Sequence, residues 1–294
     1  MFVIIGASGY LGSYLIKNII NNTNENIIAT NNTASENVDS ARIKWVKLDI
    51  SNAENIKSFK EHHLQENQIY KFIYLAAYHH PDKVEANPSL AWDINVASLD
   101  YFLNKIKSKI FSLYYSSTDS VYGESIDNKI FLENSKYNPV NTYGRTKAAA
   151  EQIVLMHGFS VMRYSLLMGP SLISKKHFFD VIIESIKKKE YIDMFIDSFR
   201  TVMSFDMASD YTIKLLQNHY KPKDIINISG DIALSKYEIA LGIANEFNLE
   251  SKYLNPISMI EDNSFGSKRA KNTLISNKKL KNILNLDKIL YDFK

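Results

Sequence analysis

Through the first 165 residues, short apolar runs alternate with longer amphipathic segments. The apolar runs are hydrophobic at nearly every position, which is typical of strands buried on both faces of a parallel sheet. This alternation predicts right-handed crossover units and a doubly wound α/β sheet of Rossmann type. The predicted strands are Phe2–Ile5, Ile27–Thr30, Ile43–Leu48, Lys71–Ala76, Phe111–Ser116 and Ser160–Tyr164, and the predicted helices are Leu11–Ile20, Ala53–His62, Ser89–Lys107 and Tyr143–His157.

The alternation of apolar runs and amphipathic segments becomes less regular after about residue 165. Helical patterns there are interleaved with short strand candidates, and no linker rich in Pro, Gly or Ser separates the two parts. We therefore predict a Rossmann domain over residues 1–165 and a smaller C-terminal lobe over 166–294, some of whose elements return to the sheet. The predicted helices are Phe178–Lys189, Met207–Asn218 and Lys236–Phe247, and the predicted strands are Thr201–Phe205 and Ile225–Ile228.

The composition excludes some classes of function and disfavours others. The chain has 294 residues, 45% of them hydrophobic, no cysteine and a net charge of +3. Without cysteine there is no disulfide, no thiolate nucleophile and no cysteine-bound zinc. Scattered lysines such as Lys187–Lys189 favour solvated helix faces over a nucleic-acid site. No apolar run approaches the ~20 residues that span a bilayer, and the start lacks a secretory signal. A cytoplasmic protein without membrane or nucleic-acid partners is expected.

A glycine-rich turn follows the first predicted strand and opens the first helix. Its three glycines leave backbone amides free to approach a phosphate, and the helix start adds partial positive charge. The glycines are three residues apart, which differs from the G-x-G-x-x-G spacing, so a merely tight turn is the alternative. The turn places the candidate cofactor-binding residues Gly6, Ser8, Gly9, Tyr10, Leu11 and Gly12.

The end of the second strand bears on the form of the cofactor. Many NAD sites place a carboxylate there for the adenosine ribose. This chain has Thr30-Asn31-Asn32-Thr33 instead. Without a carboxylate nothing repels a 2′-phosphate, yet no arginine immediately follows to hold one. Asn31 is the candidate ribose contact, and the cofactor is NADP(H) or NAD(H), with the form undecided.

Tyr143 and Lys147 lie four residues apart and therefore on one helix face. A free tyrosine has a pKa near ~10, and an ammonium one turn away favours the phenolate. We expect Lys147 to lower the pKa of Tyr143, which then exchanges a proton with a carbonyl oxygen as hydride moves to or from its carbon. Thr118, in a hydroxyl-rich turn after the fifth strand, is expected to orient that oxygen, although Thr also caps turns.

These features together resemble the extended short-chain dehydrogenase/reductase family in its sugar-nucleotide branch, over essentially the whole chain. The motifs match in order: the glycine turn, Leu48-Asp49-Ile50, Leu75-Ala76-Ala77, Ser117-Thr118, Val121-Tyr122-Gly123 and the Tyr143/Lys147 pair. The resemblance implies that the C-terminal lobe mainly binds substrate and that Lys147 binds the nicotinamide ribose. It further implies cofactor-site roles for Asp49, Ile50, Ala76, Ala77, Tyr78 and Asn95.

Within that branch the chain is most similar to the dTDP-4-dehydrorhamnose reductases. Residues 76–85 and Arg269-Ala270-Lys271-Asn272-Thr273-Leu274 are close to motifs of that family. Arg163-Tyr164-Ser165-Leu166 departs from it because the expected tryptophan is absent. Arg200 is similar to the arginine with which sugar epimerases hold a diphosphate, and a surface ion pair is its alternative. The candidate substrate residues are His79, Asp82, Asp119, Arg200 and Arg269.

The resemblance implies reduction, or reverse oxidation, of the C4 keto group of a nucleotide-diphospho-deoxysugar, and a homodimer is usual in such families. A nucleotide-sugar 4-epimerase and a non-catalytic regulatory subunit remain alternatives. Dehydration is disfavoured because Ser120 stands where the dehydratases place a glutamate. The adjacent pairs His62-His63 and His79-His80 lack metal-ligand spacing, so no metal is expected.

Overall fold

The computed structural model describes residues 1–32, 40–259 and 265–294, so Thr33 lies outside the described residues. Alternating strands and helices make up the first part of the chain. They are β1 (Phe2–Ile5), α1 (Tyr10–Asn22), β2 (Ile27–Asn31), β3 (Ile43–Lys47), α2 (Ala53–His63), β4 (Tyr70–Tyr74), α3 (Pro81–Ala86), α4 (Pro88–Trp92), α5 (Ser98–Ile106) and β5 (Ile110–Thr118).

The remaining elements are shorter and more varied. They are β6 (Ile130–Phe131), α6 (Thr142–Met156), β7 (Ser160–Tyr164), β8 (Leu166–Met168), α7 (Phe178–Lys187), β9 (Ile192–Phe195), β10 (Phe199–Ser204), α8 (Phe205–Asn218), β11 (Ile225–Ile228), β12 (Ala233–Ser235), α9 (Lys236–Glu246), β13 (Leu254–Ile257), β14 (Leu274–Ile275) and α10 (Lys278–Leu284).

Seven parallel strands form the central sheet in the order β11-β7-β5-β4-β1-β2-β3. One face packs on α1, α8 and α10 and the other on α2, α5 and α6. Because helices cover both faces of the sheet, strands such as β1 bury every side chain. The predicted doubly wound Rossmann sheet is confirmed, and its order reverses between β1 and β4, where such sheets bind ligands.

The second part of the chain contributes to both layers of the molecule. The elements α8, β11 and α10 lie on the seven-stranded sheet. The others build a lobe with its own core, in which α7 and α9 pack against the three-stranded sheet β12-β10-β8 and the pair β9-β13. The division into domains after residue 165 stays a prediction.

One predicted helix differs from the structure. The single helix predicted over Ser89–Lys107 is divided into α4, a π-helical turn at Asp93–Ala97 and α5. A π-turn inserts one residue into the helical repeat and turns the following side chains. Asn95 lies in this turn, is buried, and bonds to Tyr78, which follows β4, as described below. Within the described ranges, no helix is both long and apolar enough to cross a membrane.

Candidate active site

The glycine turn connects β1 to α1 at the reversal point of the sheet. Gly6 has a φ of +84°, and a Cβ at this position would lie 2.8 Å from the backbone nitrogen of Ala76. A Cβ on Gly12 would lie 2.3 Å from the carbonyl oxygen of Ala7. Both contacts involve backbone that cannot move aside. Only glycine therefore permits the turn to pack against β4 and α1 to pack against the turn.

The same turn leaves an open position above the start of α1. Gly9 is the N-cap of the helix, no side chain caps it, and the first turn carries no acidic residue. A Cβ on Gly9 would meet only the Gly6 carbonyl oxygen, at 3.8 Å. The first amides of α1 are therefore open to an anion, assisted by the helix dipole. These residues fit the diphosphate of a dinucleotide.

Two cavities meet at this turn. The smaller, about 390 Å³, lies over the ends of β2, β3 and β4 and is lined by the predicted cofactor residues Asn31, Asp49, Ile50, Ala76, Ala77 and Tyr78. The larger, about 870 Å³, runs from the glycine turn to the end of β5, and the predicted residues lining it are Tyr10, Leu11, Gly12, His79, Thr118, Asp119, Tyr143 and Arg200. Gly6, Ser8 and Gly9 line both cavities.

Helix α6 presents Tyr143 to the larger cavity. The helix begins at Thr142 because the Asn141 side chain accepts a hydrogen bond from the Gly144 amide at 2.9 Å. Lys147, one turn later, is only 2% exposed. Its Nζ donates to the Ser116 carbonyl oxygen at 2.5 Å and lies 4.0 Å from the centre of the Tyr115 ring. The pair is thus on one face, with the phenol in the cavity and the amine beneath the end of β5.

The expected effect of Lys147 on Tyr143 is wrong for this structure. Burial raises the pKa of Tyr143 well above its ordinary value, and the charge of Asp119 raises it further. Burial also lowers the pKa of Lys147 to about 7, against the opposing influence of Glu151. The spacing brings the two backbones together, but Lys147 points to Ser116 and its own charge is destabilised. Tyr143 is therefore a neutral phenol, the form that donates a proton.

The buried amine predicts a pH-dependent stability. The folded pKa of Lys147 is about 7 and its ordinary value is 10.5, so between these limits the folded state binds fewer protons than the unfolded state. The free energy of unfolding therefore gains a term that rises with pH in this window. Urea unfolding of the wild type and Lys147→Met at several values between about pH 6 and 9 is expected to favour the wild type increasingly above about 7. A pH-independent difference would contradict this burial.

Thr118 ends β5 and begins a short turn over Asp119–Val121. Its hydroxyl accepts from the Ser120 amide at 3.2 Å and donates to Asp119 Oδ1 at 3.1 Å or Ser120 Oγ at 3.2 Å. Thr118 thus caps the turn and also lines the cavity beside Tyr143. Burial raises the pKa of Asp119, although Arg200 opposes that shift.

Asn95 supports the cofactor cavity without lining it. Its Oδ1 accepts from the Tyr78 amide at 2.7 Å, and its Nδ2 donates to the Tyr78 carbonyl oxygen at 3.0 Å and to Thr146 Oγ1 at 3.1 Å. These bonds fix the chain after β4 to α6. Asn95 therefore shapes the site through Tyr78, which does line the smaller cavity.

Two of the four charged candidates for substrate contact pair with one another. Arg269 Nη2 donates to Asp82 Oδ1 at 2.9 Å, and Asp82 lines neither of the two cavities. Arg269 lines a third cavity of about 130 Å³, which also contains Arg200. Arg200 is not a surface ion pair: its Nη atoms donate to the carbonyl oxygens of Phe199, Ala270 and Lys271, and its Nε lies 3.8 Å from Asp119 Oδ2.

A buried network behind the site was not among the sequence-based predictions. Glu151 and Arg163 are 0% and 1% exposed and form a two-point ion pair, with Nε–Oε1 at 3.0 Å and Nη2–Oε2 at 2.6 Å. Ser117, next to Thr118, donates to Glu151. The one available signal was that Glu151 lies eight residues after Tyr143 and four after Lys147, on the same face of α6. Lys175, which also lines the larger cavity, carried no signal.

Comparison with known proteins identifies the family of this chain. Residues 1–291 match the RmlD substrate binding domain family. The chain belongs to this family. The resemblance to sugar-nucleotide short-chain dehydrogenases/reductases is thereby confirmed.

Individual relatives of this RmlD substrate binding domain protein are distant. Methionine adenosyltransferase 2 subunit beta of Xenopus tropicalis is 27% identical over 225 residues, which are 74% of this chain and 65% of the relative. The chain thus spans about two thirds of that protein's length. The crystal structure of a hypothetical dTDP-4-dehydrorhamnose reductase from Sulfolobus tokodaii has a TM-score of 0.81 at 22% identity, covering 99% of this chain and 97% of the other. A dTDP-glucose 4,6-dehydratase from Streptomyces venezuelae has a TM-score of 0.82 at 17% identity, with 98% and 92% covered. The two structures share the fold.

Proposed function

We propose that this chain is an NAD(P)H-dependent oxidoreductase that reduces the C4 keto group of a nucleotide-diphospho-deoxysugar, or oxidises the corresponding alcohol. One observation carries the proposal. The larger cavity is lined at one end by an uncapped glycine turn that fits a diphosphate and at the other by the neutral phenol of Tyr143. A dinucleotide and a carbonyl compound can occupy this space together.

In this proposal the smaller cavity holds the adenosine end of the dinucleotide and the larger cavity its nicotinamide end. Asn31 and Asp49 lie where the adenosine is expected, and Gly6, Ser8 and Gly9 lie where the phosphates pass. A bound, reduced nicotinamide supplies a hydride to a carbonyl carbon. The chain's own task is then to bind and orient the carbonyl and to provide the proton.

Tyr143 donates that proton from Oη to the carbonyl oxygen, which becomes the hydroxyl of the product. The raised pKa keeps the phenol protonated at neutral pH, so the donor is in the correct form before reaction. Thr118 turns its hydroxyl from Asp119 toward the same oxygen and orients it. Lys147 holds the end of β5 through Ser116 and, by its position under the cavity floor, is the candidate contact to the nicotinamide ribose.

A thermal-shift panel tests the proposal. The purified chain is heated with NAD or NADP alone and together with dTDP-, UDP-, GDP- and CDP-sugars. A ligand at 100 times its dissociation constant adds about 2.7 kcal/mol of stability, so binding is visible as a higher Tm. We expect a dinucleotide and one class of nucleotide sugar each to raise the Tm. A chain that responds to no dinucleotide would contradict the proposal.

Turnover separates the alternatives. Net consumption of reduced cofactor with a 4-keto sugar supports the reductase, whereas interconversion of sugars without net cofactor consumption supports the 4-epimerase.

A non-catalytic subunit is the second candidate function, and one specific observation favours it: the curated relatives include a subunit of methionine adenosyltransferase 2. Dinucleotide binding with no turnover of any keto sugar would support that candidate.

A further inference from the structure

The two cavities share a short passage at the glycine turn, and that passage carries little side-chain charge. The residues common to both are Gly6, Ser8, Gly9, Leu75 and His79. Burial lowers the pKa of His79, and nearby Lys175 lowers it further, against the opposing influence of a hydrogen bond to the Ala77 carbonyl oxygen. At neutral pH the side chains of the passage are therefore uncharged, although the proposed function places two phosphate groups in it.

Only two lysine or arginine side chains, among the described residues, line either cavity. They are Lys175 and Arg200. Arg200 is committed to three backbone carbonyl oxygens and lies near Asp119, at the far end of the larger cavity. Because Asp119 and those carbonyls occupy Arg200, Lys175 is the cation left to offset the charge of a diphosphate.

Lys175 stands on a loop that is held over the glycine turn by α1. In this 170–177 loop, the Pro170 carbonyl oxygen accepts from Tyr14 Oη at 2.7 Å and the Lys176 carbonyl oxygen accepts from Tyr10 Oη at 2.7 Å. Asp180 at the start of α7 binds the amides of Ser171 and His177, at 3.1 and 2.8 Å. The loop is thus fixed at both ends and is not a loose connection.

Internal bonds fix the turn that bears Lys175. Ser171 Oγ lies 3.0 Å from the Ile173 carbonyl oxygen and 2.6 Å from that of Lys175. The Lys175 Nζ lies 5.7 Å from the centre of the Tyr10 ring, and Tyr10 is the first residue of α1. Lys175 also lies within electrostatic reach of His79. The ammonium therefore lies near the first residue of α1, on the wall of the larger cavity.

We infer that Lys175, carried by the 170–177 loop, binds the diphosphate of the dinucleotide beside the start of α1. The diphosphate is then held both by the helix amides and by the ammonium. The inference rests on the proposed function, because it assumes that a dinucleotide occupies both cavities. It assigns to the loop after β8 a direct part in cofactor affinity.

The chain offers a matched control for the test. Lys176 is the neighbouring residue on the same loop, carries the same charge, and pairs with Glu184 at 2.7 Å on the outside of the lobe. Lys175→Gln and Lys176→Gln thus remove the same charge one residue apart. Both side chains are exposed, so neither change is expected to affect folding, which the Tm of each variant checks.

The measurement is the dissociation constant for NADH and for NADPH, obtained by fluorescence titration at two salt concentrations. We expect Lys175→Gln to weaken binding of the preferred dinucleotide by about tenfold and to reduce the effect of salt, because a charge-assisted contact is lost. Lys176→Gln is expected to bind within about twofold of the wild type, since its ammonium faces away. Lys175→Arg, which keeps the charge, is expected to recover most of the affinity.

Three results would overturn the inference. Unchanged affinity in Lys175→Gln, with a wild type that binds dinucleotide, removes the role of Lys175 and leaves the proposed function intact. Equal losses in both glutamine variants indicate a general charge effect and also remove it. A wild-type chain that binds neither NADH nor NADPH overturns the inference and the proposed function together.

Discussion

Tyr143→Phe is expected to lower the turnover number by about 10²–10⁴-fold while leaving the dissociation constant of the dinucleotide within about twofold. The substitution keeps the ring, and with it the packing at the start of α6, but removes the proton donor that faces the larger cavity. Steady-state oxidation of NADPH or NADH in the presence of a 4-keto nucleotide sugar measures the turnover. Fluorescence titration of the cofactor measures the binding.

Tyr101→Phe is the matched control for this experiment. Tyr101 lies on α5 and lines neither cavity, and its change to Phe likewise removes one tyrosine hydroxyl. Its turnover number is expected to stay within about twofold of the wild type, because the hydroxyl of this half-buried residue lines neither cavity. A Tyr143→Phe enzyme that turns over as fast as this control would show that another group supplies the proton.

Arg163→Met is expected to lower the free energy of unfolding by about 3–5 kcal/mol, because it leaves the Glu151 carboxylate buried without a counter-charge. Arg163 also donates to the hydroxyls of Tyr122 and Tyr137, at 2.6 and 2.7 Å, and these bonds are lost with it. Urea denaturation at neutral pH gives the free energy. The loss is expected to appear in the midpoint at a nearly constant m-value.

A double variant separates the ion pair from the loss of packing. Removing both charges in Arg163→Met/Glu151→Leu takes away the uncompensated carboxylate, so this protein is expected to be more stable than Arg163→Met alone. Ser117 and Tyr137 lose their acceptor in the double variant, so recovery is expected to be partial. A single variant that unfolds within about 1 kcal/mol of the wild type would contradict a buried, charged pair.

Strands buried on both faces were predictable because their composition is distinctive. The bounds of β1, β7 and β11 agree with the prediction at every residue, and β1 is apolar throughout. β5 extends two residues beyond its predicted end because Ser117 and Thr118 continue to pair with β7. Two-residue strands such as β6 and β14 have no periodicity of their own, and their pairing joins segments about 140 residues apart.

The site was predictable where it depends on local spacing. The glycine turn and the helical pair Tyr143 and Lys147 are local patterns, and the structure brings the turn and the phenol to one cavity. The direction in which Lys147 points depends on the Ser116 carbonyl oxygen, which spacing does not reveal. For this reason the prediction that Lys147 lowers the pKa of Tyr143 was wrong. Arg269 and Asp82 are 187 residues apart in the chain, so local sequence patterns could not predict that they pair. The catalytic and binding roles of the individual residues stay predictions.

Hydride transfer to C4 is tested directly with a nicotinamide cofactor that carries deuterium at its transferable position. The chain is mixed with this reduced cofactor and a dTDP-4-keto-6-deoxy sugar, and the product is examined by nuclear magnetic resonance. We expect stoichiometric loss of reduced cofactor, a new C4 hydroxyl and deuterium on C4 of the sugar. Cofactor that remains reduced in the presence of bound sugar, with binding of both shown separately, would contradict hydride transfer to C4.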